Sequence, residues 1–458
     1  MKKTETIAAI STAMNSSGIG IVRISGEEAF NIIKKIFKPV KDKDISAAAS
    51  HTVHYGNIVD EDKVIDEVLV LIMRAPHTYT REDTVEIDCH GGIYVLNRVL
   101  ETVLKNGARP ANPGEFTQRA FINGRIDLSQ AEAVIDVINA QNDYALKSAV
   151  GQLKGTVSEK IKNLRAVILE QVAYIEAALD DPEHIEMENY GKELIPILDN
   201  CINEIDKLIA SADDGRIIKE GIRTVILGKP NAGKSSFLNT LIGQERAIVT
   251  DIAGTTRDAL EESVRIKDIT LNIVDTAGIR ETEDIIEKIG VDKAKEYAKD
   301  ADLIVFIADT SVPLSGEDYE IINLIKGKKA IVLLNKSDLE PVWKTEELRE
   351  YLTCPFIEIS AKTGDGISDF EEAVRQMFYN SEINFNDQVY ITNARQKNAL
   401  AAANESLRAA VDTINSGLSE DFYTIDLMDA YISLGEVIGE AIEDDLADEI
   451  FSKFCMGK

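Results

Sequence analysis

The apolar positions of this chain change their period more than once, and each change marks a different kind of structure. Over the first 120 or so residues short alternating or apolar runs dominate. Ile19–Ile24, Glu67–Ile72 and Thr84–Asp88 read as strands, while Ala29–Phe37 and Ile93–Lys105 carry helical spacing. This mixture predicts an α+β domain. From about Leu128 the spacing becomes purely helical. Leu153, Val157, Ile161, Leu164, Ile168, Val172, Ile175 and Leu179 recur at intervals of three and four, one face of a long helix that Asp181–Pro182 ends. A second helix carries Leu194, Leu198, Ile202, Ile205 and Leu208. Helical spacing returns near the C-terminus at Leu400, Leu407, Val411 and Ile414, then at Ile425, Met428 and Ile432.

Between the helical stretches lies a block in which strands and helices alternate, the pattern of an α/β layer. Each flanking stretch is short of partners for its own apolar face. The simplest packing joins them as one all-α domain with the α/β block inserted; two separate bundles is the alternative. The expected boundaries are 1–122 for the α+β domain, 123–220 and 383–458 for the helical domain, and 221–382 for the insertion.

Length agrees, since 458 residues suggest about three domains. The longest apolar stretches, such as Leu303–Ala308, fall far short of the ~20 residues that cross a bilayer, so no membrane association is expected. No secretory signal is visible after Lys2 and Lys3. Cys89, Cys201, Cys354 and Cys455 are scattered without zinc spacing, which points to a reduced, cytoplasmic protein. The net charge of −29 argues against a broad basic surface for nucleic acid. If RNA is a substrate, a local patch or a partner must supply the cations.

The chemistry lies in the inserted block. A strand, Arg223–Leu227, runs into Gly228-Lys229-Pro230-Asn231-Ala232-Gly233-Lys234-Ser235, which matches GxxxxGK[ST] and opens a helix. Glycines let backbone N–H groups close around phosphate oxygens, and the helix N-terminus adds a positive dipole. Lys234 is placed for the β and γ phosphates and Ser235 for Mg2+. Leu271–Val274 ends in Asp275-Thr276-Ala277-Gly278, where Asp275 can hold Mg2+ and the Gly278 N–H can reach the γ-phosphate. Ile331–Leu334 ends in Asn335-Lys336-Ser337-Asp338. A carboxylate there accepts two hydrogen bonds from guanine that adenine cannot offer. Phe356–Ile359 ends in Ser360-Ala361-Lys362, whose backbone would contact the guanine oxygen. These motifs all fall at strand C-terminal ends, where doubly wound sheets bind ligands. The candidate GTP-binding residues are Asn231, Ala232, Gly233, Lys234, Ser235, Ser236, Thr250, Thr256, Asp275, Gly278, Asn335, Lys336, Asp338, Ser360 and Ala361.

Ile279 stands where many GTPases place a glutamine, and an alkyl side chain cannot orient water. Catalysis must borrow another group, and Glu281, Glu283, Asp284 and Glu287 lie close by, although a solvated face explains most of them. The loop from Gln244 to Asp258 would form the first switch, with a threonine of Gly254-Thr255-Thr256-Arg257-Asp258 on Mg2+.

That loop, Asn231 ahead of Ala232-Gly233-Lys234-Ser235, and the terminal Phe454-Cys455-Met456-Gly457-Lys458 together resemble the MnmE (TrmE) family of tRNA-modification GTPases. The resemblance extends through Gly18–Gly26, His90-Gly91-Gly92, Asn112–Phe116 and Gly124–Ala133, and so covers essentially the whole chain. It implies a multidomain fold: an N-terminal folate-binding-like α+β domain, an all-α helical domain and an inserted Ras-like G domain. It implies homodimers through the N-terminal domain, and G domains that pair when GTP and K+ bind. On this sequence the K+ ligands would be Asn231, Thr250, Ile252 and Thr255, and the Mg2+ ligands Ser235 and Thr256. Glu287 would be the catalytic residue that orients water. A tetrahydrofolate derivative, in its 5-formyl or methylene form, would be held by Arg23, Glu86, Arg125 and Lys458. Where this chain has Arg125 and Met456 the family pattern can differ.

The resemblance also implies a flavin (FAD)-dependent partner, MnmG (also called GidA). With it, such proteins place an aminomethyl or carboxymethylaminomethyl group on the wobble uridine of certain tRNAs. The partner would carry most of the tRNA surface, in keeping with the acidity of this chain. Cys455 is either a functional thiol near the one-carbon donor or a small buried residue beside Phe454. His90 reads as a turn or packing residue rather than a metal ligand. Two other classes fit less well. A ribosome-assembly or regulatory GTPase is disfavoured by the long stretch before the phosphate loop and the lack of a basic tail. A dynamin-like GTPase is disfavoured by the lack of a lipid anchor or basic amphipathic helix.

Overall fold

The computed structural model describes residues 5–40, 44–181, 184, 189–244, 262–266, 269–274, 297–378, 389–440, 450–452, 454 and 457. The chain divides into two compact units: 1–138, 151–203 and 398–458 form one, and 139–150 with 204–397 the other.

The first unit begins with β1 (Ile7–Ile10), β2 (Ser17–Ser25), α1 (Ala29–Ile36), β3 (Phe37–Pro39), β4 (Thr52–Asp60), β5 (Lys63–Met73), β6 (Thr84–Gly91), α2 (Ile93–Lys105), β7 (Arg109–Pro110) and α3 (Glu115–Ile122). The strands form one sheet in the order β3-β4-β5-β6-β2-β1-β7. Because side chains alternate across a strand, one face buries Val22, Ile24, Val70, Ile72, Val85 and Ile87 beneath α1 and α2. The opposite face of β4 and β5 leaves Val53, Tyr55 and Leu69 exposed at 54%, 49% and 43%. Tyr55 stands directly across from Leu69, so these apolar side chains form a patch rather than isolated positions.

Helices follow: α4 (Leu128–Asn139), α5 (Asp143–Leu153), α6 (Thr156–Asp180) and α7 (Tyr190–Glu220), of which α5 up to Val150 and α7 from Glu204 onward belong to the second unit. The face expected from Leu153 to Leu179 is one helix shorter than the spacing predicts. Gly155 adopts φ +92°, which ends α5 at Leu153 and starts α6 afresh. Val157, Ile161, Leu164, Ile168, Val172 and Ile175 are buried, but in the last turn Ala178 is buried and Leu179 is exposed. A straight helix drifts against a seven-residue repeat, so the stripe rotates past Leu179. On α7 all five expected positions, Leu194 to Leu208, are buried.

The second helical stretch holds α12 (Ala394–Asn415) and α13 (Glu420–Ile438). Its α13 corrects the expected face. Tyr423, Leu427, Ala430, Leu434 and Val437 are buried, whereas Ile425 and Ile432 are 60% and 45% exposed. This helix is apolar on two sides, and spacing alone does not say which side meets the core. Within this unit the two helical stretches pack together. Arg165 of α6 donates from Nε to the Tyr431 carbonyl of α13 (3.2 Å), pairs with Glu440, and lies 4.0 Å over the Tyr431 ring. Gly191 of α7 sits against Ile414 of α12, where a Cβ would come within 2.7 Å.

The second unit carries a sheet ordered β13-β12-β11-β8-β10-β9. Its elements are β8 (Ile222–Leu227), α8 (Lys234–Gln244), β9 (Glu262–Ile266), β10 (Ile269–Ile273), β11 (Leu303–Asp309), α9 (Gly316–Ile325), β12 (Ala330–Asn335), α10 (Glu346–Arg349), β13 (Phe356–Ile359) and α11 (Ile367–Phe378). All pairs are parallel except β9 with β10. The central strands are apolar on both faces, as parallel strands between helical layers must be. One layer packs Phe237, Leu238 and Phe370 on Ile273 and Leu333, and the other packs Trp343 and Leu348 on Phe306 and Val332. This doubly wound sheet brings the C-terminal ends of β8, β12 and β13 to one edge.

Candidate guanine-nucleotide site

The phosphate loop leaves β8 at Gly228 and enters α8 at Lys234. Its glycines are required by close approaches. At Gly228 a Cβ would lie 2.6 Å from the Ile307 carbonyl oxygen. At Gly233, with φ +103°, it would lie 2.0 Å from Asn335 Nδ2. Asn231 is exposed at the loop tip in a left-handed conformation, φ +58°, a region asparagine tolerates better than most residues. The Lys234 ammonium arches over the loop and donates to the carbonyls of Gly228 (2.7 Å) and Lys229 (3.0 Å). Burial lowers its pKa, against the opposing charge of Glu317. Ser235 and Ser236 are exposed in the first turn of α8, where the helix dipole favours an anion.

The base-side loops are joined to the phosphate loop by one buried side chain. Asn335, at the end of β12, donates from Nδ2 to the Ala232 carbonyl (2.7 Å) and accepts from the Ala361 N–H at Oδ1 (3.0 Å). The Ala361 N–H is thus engaged with Asn335. Asp338 is exposed, and its Oδ1 accepts from the Ser360 hydroxyl (2.8 Å), which itself receives the Thr363 N–H (3.3 Å). A carboxylate held on one oxygen and open to solvent on its outer side is a fixed acceptor for the two N–H groups on guanine's edge. Lys336, at φ +68°, pairs with Asp309 (2.5 Å). Burial pushes the Asp309 pKa up, but Lys336 and Ser311 outweigh it and hold the group below the usual carboxylate range. Of the candidate nucleotide residues, Asn231 to Ser236, Asn335, Lys336, Asp338, Ser360 and Ala361 therefore meet at one sheet edge.

Two tethers of this site are not visible in the motif spacing. Thr240 Oγ1 donates to the Ala361 carbonyl (2.7 Å), binding α8 to the base loop. Lys229 Nζ donates to Asp318 Oδ2 (3.0 Å), a fully buried carboxylate. The same oxygen accepts from the N–H and hydroxyl of Ser315, closing a capping box at the start of α9. The Ser315-x-x-Asp318 spacing is a readable sign of that box. Nothing in the spacing connects it to Lys229, because the link is made across the sheet.

In the first unit three of the four candidate folate residues, Arg23, Glu86 and Arg125, also come together. Arg23 and Glu86 are opposite each other on β2 and β6, and Arg23 Nε donates to Glu86 Oε1 (2.7 Å). The Arg23 guanidinium lies 5.6 Å from the Phe116 ring centroid and 6.0 Å from that of Tyr79, while Arg125 lies 4.7 Å from Tyr79. Gly457 reaches the same place. Its carbonyl accepts from Arg23 Nη1 (3.2 Å) and Ser11 Oγ (3.0 Å), and its left-handed φ of +87° leaves only 2.3 Å between a Cβ and the Ile10 carbonyl. An Arg–Glu pair flanked by aromatic rings fits a pterin, whose edge alternates donors and acceptors. His90 is exposed and bound to Asp66 through both its backbone N–H and Nδ1, a polar contact at the end of β6.

Thr250, Ile252, Thr255, Thr256, Asp275, Gly278, Glu287, Cys455 and Lys458 lie outside the described residues, as does Ile279. Among the described residues no group of His, Cys, Asp and Glu side chains could hold a metal ion, and no helix is long and apolar enough to cross a membrane.

A doubly wound sheet whose edge gathers a Gly228–Ser235 phosphate loop, an Asn335–Asp338 base loop and a Ser360–Ala361 brace defines a P-loop GTP hydrolase. The wider comparison is more specific. A family profile described as the MnmE helical domain matches residues 128–455, and one described as the GTP-binding protein TrmE N-terminus matches residues 6–125. The tRNA modification GTPase MnmE of Lachnoclostridium phytofermentans is 57% identical over 457 residues, covering 100% of each chain. That of Thermoanaerobacter pseudethanolicus is 50% identical over 99% of each, and that of Bacillus subtilis 46% identical over 99% of this chain and 100% of its own. Among solved structures, the G domain of the T. maritima FeoB iron transporter is similar to 34% of this chain and 97% of that one, at 27% identity and a TM-score of 0.26. The chain belongs to the MnmE (TrmE) family of tRNA modification GTPases, with its TrmE-type N-terminal domain, helical domain and Ras-like G domain.

Proposed function

We propose that this protein is the K+-stimulated GTPase half of a tRNA wobble-uridine modification system, working with a flavin-dependent MnmG-type partner and a tetrahydrofolate one-carbon donor in the cytoplasm. The observation that carries this reading is the meeting of Arg23, Glu86 and the Gly457 carbonyl beside Phe116 and Tyr79, in a chain that also holds a guanine-nucleotide site. Full-length similarity to proteins named tRNA modification GTPases supports the substrate.

In the G domain, which we place at 221–382, the phosphate loop would bind the β and γ phosphates through backbone N–H groups and Lys234. Asp338 would select guanine. Ser235 and Thr256 are the proposed Mg2+ ligands, and Asn231, Thr250, Ile252 and Thr255 those of K+. Both are hard cations, which suit the oxygen donors that Asn231 and Ser235 offer. When bound, K+ supplies positive charge beside the γ-phosphate, the service an arginine finger performs elsewhere. Glu287 would orient the attacking water, taking over from the glutamine that Ile279 replaces.

In the N-terminal domain, proposed at 1–122, Arg23, Glu86, Arg125 and Lys458 would hold the folate. When bound, it supplies the one-carbon unit. Lys458 follows Gly457, and the Gly457 carbonyl is held by Arg23, which supports a role for the C-terminal segment (the second part, 383–458, of a helical domain begun at 123–220) in completing that site. Cys455 stands in the same segment and is a candidate thiol. Homodimerisation through this domain is supported by the exposed patch of Val53, Tyr55 and Leu69. The acidity of the chain, −29 overall, supports a partner that carries most of the tRNA contact.

Mass spectrometry of wobble nucleosides from a strain lacking this protein tests the reading: the aminomethyl and carboxymethylaminomethyl groups should vanish, and an unchanged nucleoside profile would overturn it. In vitro, GTP hydrolysis should rise strongly when K+ replaces Na+, and equal rates would remove the K+ role.

A further inference from the structure

We propose that the cavity beside Arg125 is a polycarboxylate subsite that takes the γ-linked glutamate tail of the folate, so that the protein prefers polyglutamylated one-carbon donors. The proposal rests on the folate reading above and adds to it a distinction among folates. The cavity has a volume of about 450 Å³, and His51, His77, Arg81 and Arg125 all line it. That size falls within the range of small-molecule sites. Among its described lining residues none is a carboxylate, in a chain with 79 acidic residues against 50 Lys and Arg. A pocket of opposite sign to the molecule around it is a local attractor for anions.

The two guanidinium groups are exposed at the mouth of the cavity but tied to the protein. Arg81 Nη1 donates to the Asn123 carbonyl (2.8 Å), and Asn123 Nδ2 donates back to the Thr80 carbonyl (2.7 Å). This reciprocal pair clamps the Arg81 loop to the turn that leads through Gly124 into Arg125. The Arg125 guanidinium rests on the Tyr79 ring. His51 and Arg81 both adopt left-handed backbone, φ +60° and +59°, uncommon for residues with side chains and concentrated at ligand sites. His51 is anchored by its N–H to the Ile72 carbonyl (2.7 Å).

Position decides the ligand. Tyr79 is shared: one guanidinium over it, Arg23, belongs to the Arg23–Glu86 pair, and the other, Arg125, lines the cavity. A pterin at Arg23 and Glu86 therefore lies next to the cavity, with Tyr79 between the two arginines' contacts, and its p-aminobenzoyl-glutamate tail has the cavity within reach. Successive γ-linked glutamates carry one α-carboxylate each. Arg81 and Arg125 offer planar N–H forks for such groups, and the two imidazoles offer further N–H donors.

The test compares 5-formyl-tetrahydrofolate carrying one glutamate with the same compound carrying three, by calorimetry on the full chain. The triglutamate should bind about tenfold more tightly, the increment of two partly exposed charge contacts, and the difference should shrink in high salt. Arg81→Gln should reduce the difference to less than about threefold, and Arg81→Lys should keep part of it. Equal affinity of the two forms for the wild-type chain would overturn the subsite while leaving the folate reading intact. Failure of both forms to bind would remove the folate reading and the subsite with it. A loss of tRNA affinity in Arg81→Gln, with no tail-length preference in the wild type, would assign the cavity to RNA phosphate and also overturn the proposal.

Discussion

Asn335 shows how much of the nucleotide site depends on single side chains. It joins Ala232 of the phosphate loop to Ala361 of the base loop, and it stands where Gly233 leaves no room for a Cβ. The motif residues were legible one by one, because each strand-end signature has its own spacing. Their interdependence was not, since Asn335 and Gly233 are far apart in sequence. Glu115 is a second case. In the sequence it is one letter of Asn112-Pro113-Gly114-Glu115-Phe116. In the fold it is buried, and it accepts from Arg109 (2.6 and 2.8 Å), from Arg119 (2.9 Å) and from the Asn112 N–H (2.9 Å). Burial pushes its pKa up, but Arg109, the Asn112 N–H and Arg119 outweigh burial and bring it down to about 2. A carboxyl depressed from 4.5 in this way contributes stability that is complete above the unfolded value and is lost as pH falls from about 4.5 through about 2. Between pH 6 and pH 2 the N-terminal urea transition should lose about 3 kcal/mol more in the wild type than in Glu115→Gln. Equal losses would show that this carboxyl is not the depressed group.

At the scale of elements, periodicity located helices well and their faces less well. The five buried positions of α7 follow the spacing directly. On α13 two apolar stripes compete, and the buried one is decided by what it meets: Arg165 and the α6 face, a long-range partner no local pattern reveals. Leu434 lies on the buried stripe and Ile432 on the exposed one. Leu434→Ala should destabilise the helical region by about 3 kcal/mol, the cost of a cavity in a packed interface. Ile432→Ala should stay within about 0.5 kcal/mol. Denaturant midpoints measured on both variants check this, and similar losses would mean the stripes have been assigned wrongly. The break at Gly155 is a related lesson. Glycine between two helical spacings reads as a tolerated interruption, yet here its φ of +92° separates α5 from α6.

Across the whole molecule, the resemblance read from scattered motifs and the similarity measured over the full length agree on one family, and among the described residues several motif glycines sit where a backbone turn or a close contact requires them. The C-terminal Gly457 is the clearest example. It returns to β1 and Arg23 over more than 430 positions, a closure no local pattern could show. The parts that stayed hidden in the sequence, the Lys229–Asp318 tether and the Arg81–Arg125 cavity, are those made by segments distant in the chain.

The central claim is that Asp338, steadied by Ser360, chooses the base while the loop from Gly228 to Ser235 holds the phosphates. Equilibrium binding of GTP and of xanthosine triphosphate to the wild type and to Asp338→Asn tests it most directly. An asparagine can donate to the extra carbonyl of xanthine but cannot accept both guanine N–H groups. The wild type should prefer GTP, and Asp338→Asn should lose GTP affinity and favour xanthosine triphosphate. An unchanged preference for GTP in Asp338→Asn would contradict the account.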